Sequence, residues 1–203
     1  MLTKLKQKVQ KALSSEAKIA HKLGLTPNII TILGFALAFL AAIAYTIATS
    51  KEPLWLAVAI ILLLLSGFCD TLDGMLARTY NQASVFGGFL DSMLDRFADA
   101  LVIGGIIISG LCNLVAGLAA LVSSLMVSYS RARAEASGIK METIGIAERP
   151  ERILILALTT LIAIFWLPFL NIGIIAIAVL ATFTVLQRAF HVYLKSKQKS
   201  VPS

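Results

Sequence analysis

The 203-residue chain is 58% apolar and only 14% charged, with a mean hydropathy of +0.87. Soluble domains carry about 25% charged residues, so disorder is excluded and too little polar sequence remains to cover a water-facing enzyme. A net charge of +7 would suggest nucleic acid in a soluble protein. Without an aromatic-interleaved basic stripe it reads instead as membrane orientation and attraction to anionic lipid, with no nucleic-acid partner.

Residues 2–22 have the pattern of an amphipathic helix lying among lipid headgroups. Leu2, Leu5, Val9, Leu13 and Ile19 fall near one face, and Lys4, Lys6, Lys8, Lys11, Lys18 and Lys22 fill much of the rest. A cleaved signal peptide is the competing reading, but the basic stretch is too long for one and the next apolar run is long enough to span. Segment 1–24 is therefore expected as a retained juxtamembrane helix.

Four charge-free runs follow: Leu23 to Ser50, Pro53 to Cys69, Ala100 to Ser130 and Ile153 to Gln187. A span needs about 20 apolar residues, so the last two runs are helix pairs. One is broken by a turn at Ser109-Gly110-Leu111-Cys112-Asn113, the other by a turn from Leu167-Pro168 through Asn171-Ile172-Gly173. The expectation is an all-α integral membrane bundle of six transmembrane helices, near 28–49, 54–77, 88–109, 113–134, 150–167 and 171–194, preceded by the interfacial helix. One domain, 25–195, holds the spans, and 196–203 forms a basic tail. Lys and Arg concentrate at both ends, at Arg78, and between spans four and five, which puts both termini on the cytoplasmic side of the cell membrane. Cys69 and Cys112 read as small buried hydrophobes with no disulfide. His21 and His191 read as surface residues, and Trp55 and Trp166 as interfacial anchors.

Five of the eleven acidic residues lie in Asp70–Asp99, across the end of span two and the start of span three. A carboxylate within a bilayer is costly and marks function by default. Asp70 and Asp73 are three apart, and Asp91 and Asp95 four apart, so each pair shares a helix face. A short turn brings the two faces together. Four facing carboxylates cannot all stay ionised without counter-charge. Salt bridges to Arg78 and Arg96 are one solution. A divalent cation is the simplest, and all-oxygen ligands suit Mg²⁺ or Mn²⁺. Gly74 and Ala77 keep the adjoining face open, Arg78 offers a planar fork for phosphate, and Gly87-Gly88 opens space at the start of span three. Metal ligands, a phosphate cation and close-approach glycines together suit phosphoryl transfer. An ion or proton transporter explains the acids but not the glycines and arginine.

The run Asp70-x2-Asp73-Gly74-x2-Ala77-Arg78-x8-Gly87-x3-Asp91-x3-Asp95 resembles the signature of the CDP-alcohol phosphatidyltransferases, matching at all eight positions. The resemblance implies a homodimeric enzyme that displaces CMP from a CDP-linked lipid with an alcohol acceptor, using two Mg²⁺ ions, with Mn²⁺ possible. It implies that Asp70 and Asp91 bridge the two metals, that Asp73 binds the first and Asp95 the second, and that Asp95 is the catalytic base. Gly74, Ala77, Arg78 and Ser84 belong to its CDP-lipid site, together with Asn28, Ile29, Ile30 and Thr31 at the entry to span one. That entry also reads as an interfacial turn with a helix cap.

Residues 128–138, the run Gly145-Ile146-Ala147-Glu148-Arg149-Pro150-Glu151-Arg152, and Gln187-Arg188 resemble the inositol-phosphate branch of that family, with either diacylglycerol or archaeol lipid. An acceptor with its own phosphate needs a cationic cup, and the resemblance gives it Arg131, Arg152 and Arg188. The branch often has Lys where Arg131 stands. The alternative is a positive-inside loop pairing these arginines with Glu135, Glu148 and Glu151, and it is the preferred reading for Arg133 and Arg149. For Arg188 the alternative is a snorkelling terminal side chain. Glycerol 3-phosphate as acceptor and CDP-inositol as donor are the other options within the family.

Overall fold

In the computed structural model the described residues are 15–49, 52–141 and 144–199, and they are helical apart from short connections. The expectations for residues 2–14, including Leu2, Leu5, Val9 and Leu13, and for residues 200–203 lie outside them. The helices are α1 (residues 15–22), α2 (Pro27–Ile47), α3 (Leu54–Thr79), α4 (Val85–Ile108), α5 (Leu114–Ala136), α6 (Arg149–Ala163) and α7 (Pro168–Lys199).

Local chemistry sets the helix ends. Thr26 caps α2 by accepting from the Ile29 amide at 3.4 Å, and Pro27 supplies the fixed φ of the first turn. Ser84 caps α4 through the Gly87 amide at 2.9 Å, and Asn113 caps α5 through the amides of Val115 and Ala116. Gly110, at φ +71°, reverses the chain between α4 and α5 as expected from its run.

The second expected turn is shorter than its residues suggested. The chain breaks at 164–167, and Asn171, Ile172 and Gly173 are already helical in α7. Gly173 serves a crossing instead: a Cβ there would sit 2.2 Å from Thr159 Oγ1 of α6. Asn171 Oδ1 accepts from the Asn113 amide at 2.7 Å and ties this end of α7 to the α4–α5 turn.

Helices α2, α4, α5, α7, α6 and α3 pack in that order, and α3 returns to α2, so the six close into a ring. Its interior is lined by small and branched residues, among them Ala38, Ala41, Leu63, Val102, Ile106, Leu156, Ile174 and Ile177. Tyr45 and Thr160 hydroxyls meet inside it at 2.7 Å, satisfying two polar groups that lipid could not. Large apolar side chains such as Leu64, Phe68, Leu158 and Phe183 face outward. Against α2 and α3 lies α1, with Ala17 and Ala20 buried on Ile30, Leu72 and Leu76, and Ile19 exposed. His21 stacks on Tyr80 at 3.8 Å.

Four helices are long and apolar enough to cross a bilayer: α2, α3, α5 and α7. The fourth helix carries Asp91, Asp95, Arg96 and Asp99. With 15 residues, α6 reaches about 22 Å against a hydrocarbon core of about 30 Å. Helix α7 continues through Lys199, into the stretch expected as a tail.

Candidate active site

Residues 80–84 join α3 to α4, but the two helices pack on α2 rather than on each other, and α2 holds the acid-bearing end of α3 and the acid-bearing start of α4 to a common centre. Carboxylate oxygens of Asp70, Asp91 and Asp95 all lie within 4.8 Å of one another. The fourth acid is placed differently. Asp73 is buried on the same wall, and its Oδ2 accepts a 2.6 Å hydrogen bond from Thr31 of α2. Three carboxylates therefore converge, with the fourth alongside them and held by a hydroxyl.

This donor set fits a divalent cation. All the ligands are hard oxygens, and Asp91 Oδ1 is buried with no hydrogen-bond partner among the described residues. The spread of up to 4.8 Å is slightly wider than the about 4.2 Å that two Mg–O bonds can bridge. A small inward turn of the side chains closes that gap.

On one side, the acid centre opens into a cavity walled by Asn28, Thr31, Gly74, Ala77, Arg78 and Ser84, together with Asp73, Asp91 and Gly87. Six of the eight residues expected at the CDP-lipid site line it. Ile29 and Ile30 do not. At 3.6 residues per turn Asn28 and Thr31 share the cavity face of α2, while Ile29 turns outward and Ile30 packs into the α1–α3 cluster. The glycines keep this wall thin. A Cβ on Gly87 would approach Asn28 Oδ1 to 2.9 Å, and one on Gly74 would meet the Arg78 guanidinium at 3.2 Å.

On the other side lies a second cavity, between α4, α5, α6 and α7. Arg131, Arg152 and Arg188, the three residues expected in the cationic cup, all line it, together with Arg96 and Arg149. They are held in different ways. Arg131 is partly exposed and pairs with Glu135 at 3.0 Å and Glu148 at 3.7 Å. Arg152 is buried, donating to Ala147 O at 3.0 Å and to Asp99 Oδ2 at 2.5 Å. Arg188 is 2% exposed and does not snorkel. It donates to Ile144 O at 2.8 Å, Val127 O at 2.5 Å and Glu148 Oε1 at 2.9 Å, tying α5, the 137–148 loop and α7 together. Thr184, one turn away, accepts from the amides of Ile146 and Ala147 in the same loop.

Arg149 departs from the expected loop pairing. It opens α6, whose packing against α3 carries it into the acid centre, where Nη1 lies 2.9 Å from Asp70 and 2.8 Å from Asp95, and Nε 3.5 Å from Asp99. The cluster's principal counter-ion is thus Arg149 rather than Arg78 or Arg96. Asp99 joins the site through both Arg149 and Arg152. Its signal lay in the spacing, since Asp91, Asp95 and Asp99 continue one helix face, as Arg149 and Arg152 do.

Residues 24–186 match the sequence model of CDP-alcohol phosphatidyltransferase. The chain belongs to that family. It is 40% identical over 190 residues to the archaetidylinositol phosphate synthase of Pyrococcus horikoshii, covering 94% of this chain and 95% of that one. A solved phosphatidylinositol phosphate synthase of Mycobacterium tuberculosis with CDP-DAG bound superposes with a TM-score of 0.75 at 30% identity, over 90% of this chain and 94% of that chain. The same mycobacterial enzyme in complex with manganese and citrate gives a TM-score of 0.74 at 31% identity, over 89% and 88%. The protein is thus a membrane transferase of the CDP-alcohol phosphatidyltransferase type, and the transporter reading falls away.

Proposed function

We propose that the protein transfers the phosphatidyl or archaetidyl group of a CDP-linked lipid to a hydroxyl of inositol phosphate and releases CMP. One observation carries this reading: Asp95 stands in the wall shared by the acid centre and the arginine-lined cavity. A base at that junction reaches an acceptor on one side and the activated phosphorus on the other. The relatives named above support the choice of acceptor.

In this reading Asn28, Thr31, Gly74, Ala77, Arg78 and Ser84 hold the CDP part, and Arg131 and Arg152 take the acceptor phosphate with Arg188 behind them. Asp95 accepts the acceptor's hydroxyl proton as its oxygen bonds to the lipid-linked phosphorus and the bond from that phosphorus to CMP breaks. Asp70, Asp73, Asp91 and Asp95 hold two Mg²⁺ ions, for which Mn²⁺ substitutes. Bound divalent cations supply charge neutralisation of the diphosphate and stabilisation of the departing CMP.

The proposal also takes in six spans within residues 25–195. The α4 acids turn into the ring rather than towards lipid, and residues 164–167 extend α6 across the bilayer. The site then faces the cytoplasm, where the nucleotide and the acceptor are soluble, and two chains form a homodimer. The test is CMP release by the purified protein from CDP-diacylglycerol and CDP-archaeol, with inositol phosphate, glycerol 3-phosphate, inositol or serine as acceptor. Inositol phosphate is expected to be fastest. Equal rates with uncharged serine overturn the phosphate cup.

A further inference from the structure

Arg149, which is partly buried, differs from the two buried arginines at this site in how it is held. Arg152 and Arg188 direct their N–H groups at oxygens, each making at least two aligned hydrogen bonds. Arg149 lies close to three carboxylates, yet its Nε and Nη1 make no hydrogen bond of acceptable geometry among the described residues. Its attraction to Asp70 and Asp95 is therefore mainly Coulombic, and without directed bonds a guanidinium gives up the strongest part of such a contact. Its Nη1 also lies between two carboxylates that the proposed metal centre uses. A cation drawn to the same Oδ1 atoms meets the positive charge of this guanidinium at close range and competes with it.

Its position offers it another place. Arg149 and Asp95 are the two residues that line both the acid centre and the arginine cavity. Asp99 lies behind them, joined to Arg149 on one side and Arg152 on the other. A guanidinium released from Asp70 and Asp95 keeps Asp99 as a pivot and has the arginine cavity beside it.

We propose that Arg149 is a displaceable counter-ion that couples the two halves of the site: a divalent cation binding at Asp70 and Asp95 drives it across Asp99 towards the acceptor cavity, where it adds a positive charge for the acceptor's phosphate. This rests on the metal centre of the function proposed above and adds an order to it. Cation binding raises affinity for the anionic acceptor, and by linkage the acceptor raises affinity for the cation by the same factor. The acceptor site is then strong only when the centre that activates the diphosphate is loaded.

The test uses the full chain in detergent, without CDP-lipid, so that no turnover enters. Mn²⁺ binding is followed by electron paramagnetic resonance and inositol phosphate binding by calorimetry, each in the presence and absence of the other. Wild type is expected to bind inositol phosphate about tenfold more tightly with saturating Mn²⁺, inside the ordinary range of coupling between two sites. Arg149→Gln is expected to bind Mn²⁺ several-fold more tightly than wild type and to bind inositol phosphate equally with and without it. Arg149→Lys keeps the charge without a fork able to span two carboxylates. It should tighten Mn²⁺ to a smaller degree, and it carries the test should the glutamine variant not fold. Mn²⁺ affinity unchanged or weakened in both variants, or coupling that survives in Arg149→Gln, overturns the proposal alone. A wild-type protein that binds no Mn²⁺ overturns the metal centre and this proposal with it.

Discussion

The two sides of the site are built in different ways. The carboxylates of the acid side all come from two consecutive helices, α3 and α4, and are met there by Thr31 of α2 and Arg149 of α6. The arginine side takes Arg131 from α5, Arg149 and Arg152 from α6 and Arg188 from α7, and it exists only when the ring closes. The carboxylates therefore come from a short stretch of chain, and no backbone group depends on them for its hydrogen bond. Two of the arginines also hold the fold: Arg188 fastens the 137–148 loop and Arg152 fastens Asp99. Substitutions on the acid side should report on chemistry, whereas those on the arginine side mix binding with folding.

The largest effects should therefore come from the acids. Asp95→Asn keeps the size and most of the packing of the side chain while removing the base, and CMP release should fall by about 10²–10⁴-fold, the usual contribution of a positioned base. Thermal stability should change little, because the lost charge belongs to a cluster in which carboxylates outnumber the arginines paired with them. Chelation by EDTA should abolish turnover in the wild type, with recovery on adding Mg²⁺ or Mn²⁺. Near-normal turnover in Asp95→Asn would remove it from the base role. Full turnover in EDTA would break the distinction between a catalytic acid side and a structural arginine side.

How far each side can be read from sequence follows the same division. Asp70, Asp73, Asp91 and Asp95 lie within 26 residues on two consecutive helices, so helical periodicity shows that each pair shares a face, while the packing of both helices on α2 that brings the faces together is not written in the spacing. The charge-free runs place the helices from 28 to 136 to within about three residues, whereas the caps at Ser84 and Asn113 emerge only from the structure. The place of Arg149 is not legible in the sequence, because its partners Asp70, Asp95 and Asp99 lie 50 or more residues away and nothing near it in the chain shows that α6 packs on α3. The Asn171-Ile172-Gly173 run is ambiguous for a related reason. Its residues favour a turn in isolation, but a glycine also permits a close helix crossing, and only the position of Thr159 distinguishes the two. The stretch 28–31 reads as one motif in the sequence, but a helix turns only part of it, Asn28 and Thr31, to any one cavity and leaves Ile29 and Ile30 on other faces.

The arginine side gives the next largest effects, and they should separate by burial. Arg188→Ala removes the partner of Ile144 O, Val127 O and Glu148 at once, at a site 2% exposed. Breaking a buried charged contact costs about 3–5 kcal/mol, so the variant should show a clear loss of melting temperature and reduced yield. Arg131→Ala removes a partly exposed side chain that no backbone group depends on. It should leave the melting temperature close to wild type and raise the KM for inositol phosphate about tenfold, the effect of one charge-assisted hydrogen bond, with the KM for CDP-lipid unchanged. If both variants shifted only KM, the arginines would be a binding cup without a structural share.

The smallest effect tests the nucleotide side at its edge, the first turn of α2. Asn28 and Thr31 face the cavity, while Ile29 is 43% exposed and directed away from it. Asn28→Ala removes a polar group 2.9 Å from where a Gly87 Cβ would stand, so the cavity both widens and loses a hydrogen-bonding partner. The KM for CDP-lipid should rise by roughly the factor of 2–10 that a single neutral hydrogen bond provides. Ile29→Ala takes away only outward apolar surface, and its KM for CDP-lipid should stay within about twofold of wild type, as surface substitutions ordinarily do. Paired kinetics on the two variants at saturating inositol phosphate decide the matter. A larger shift for Ile29 than for Asn28 would mean that the lipid-linked nucleotide approaches along the outer face of α2, and the cavity between α2, α3 and α4 would lose its claim to the CDP head.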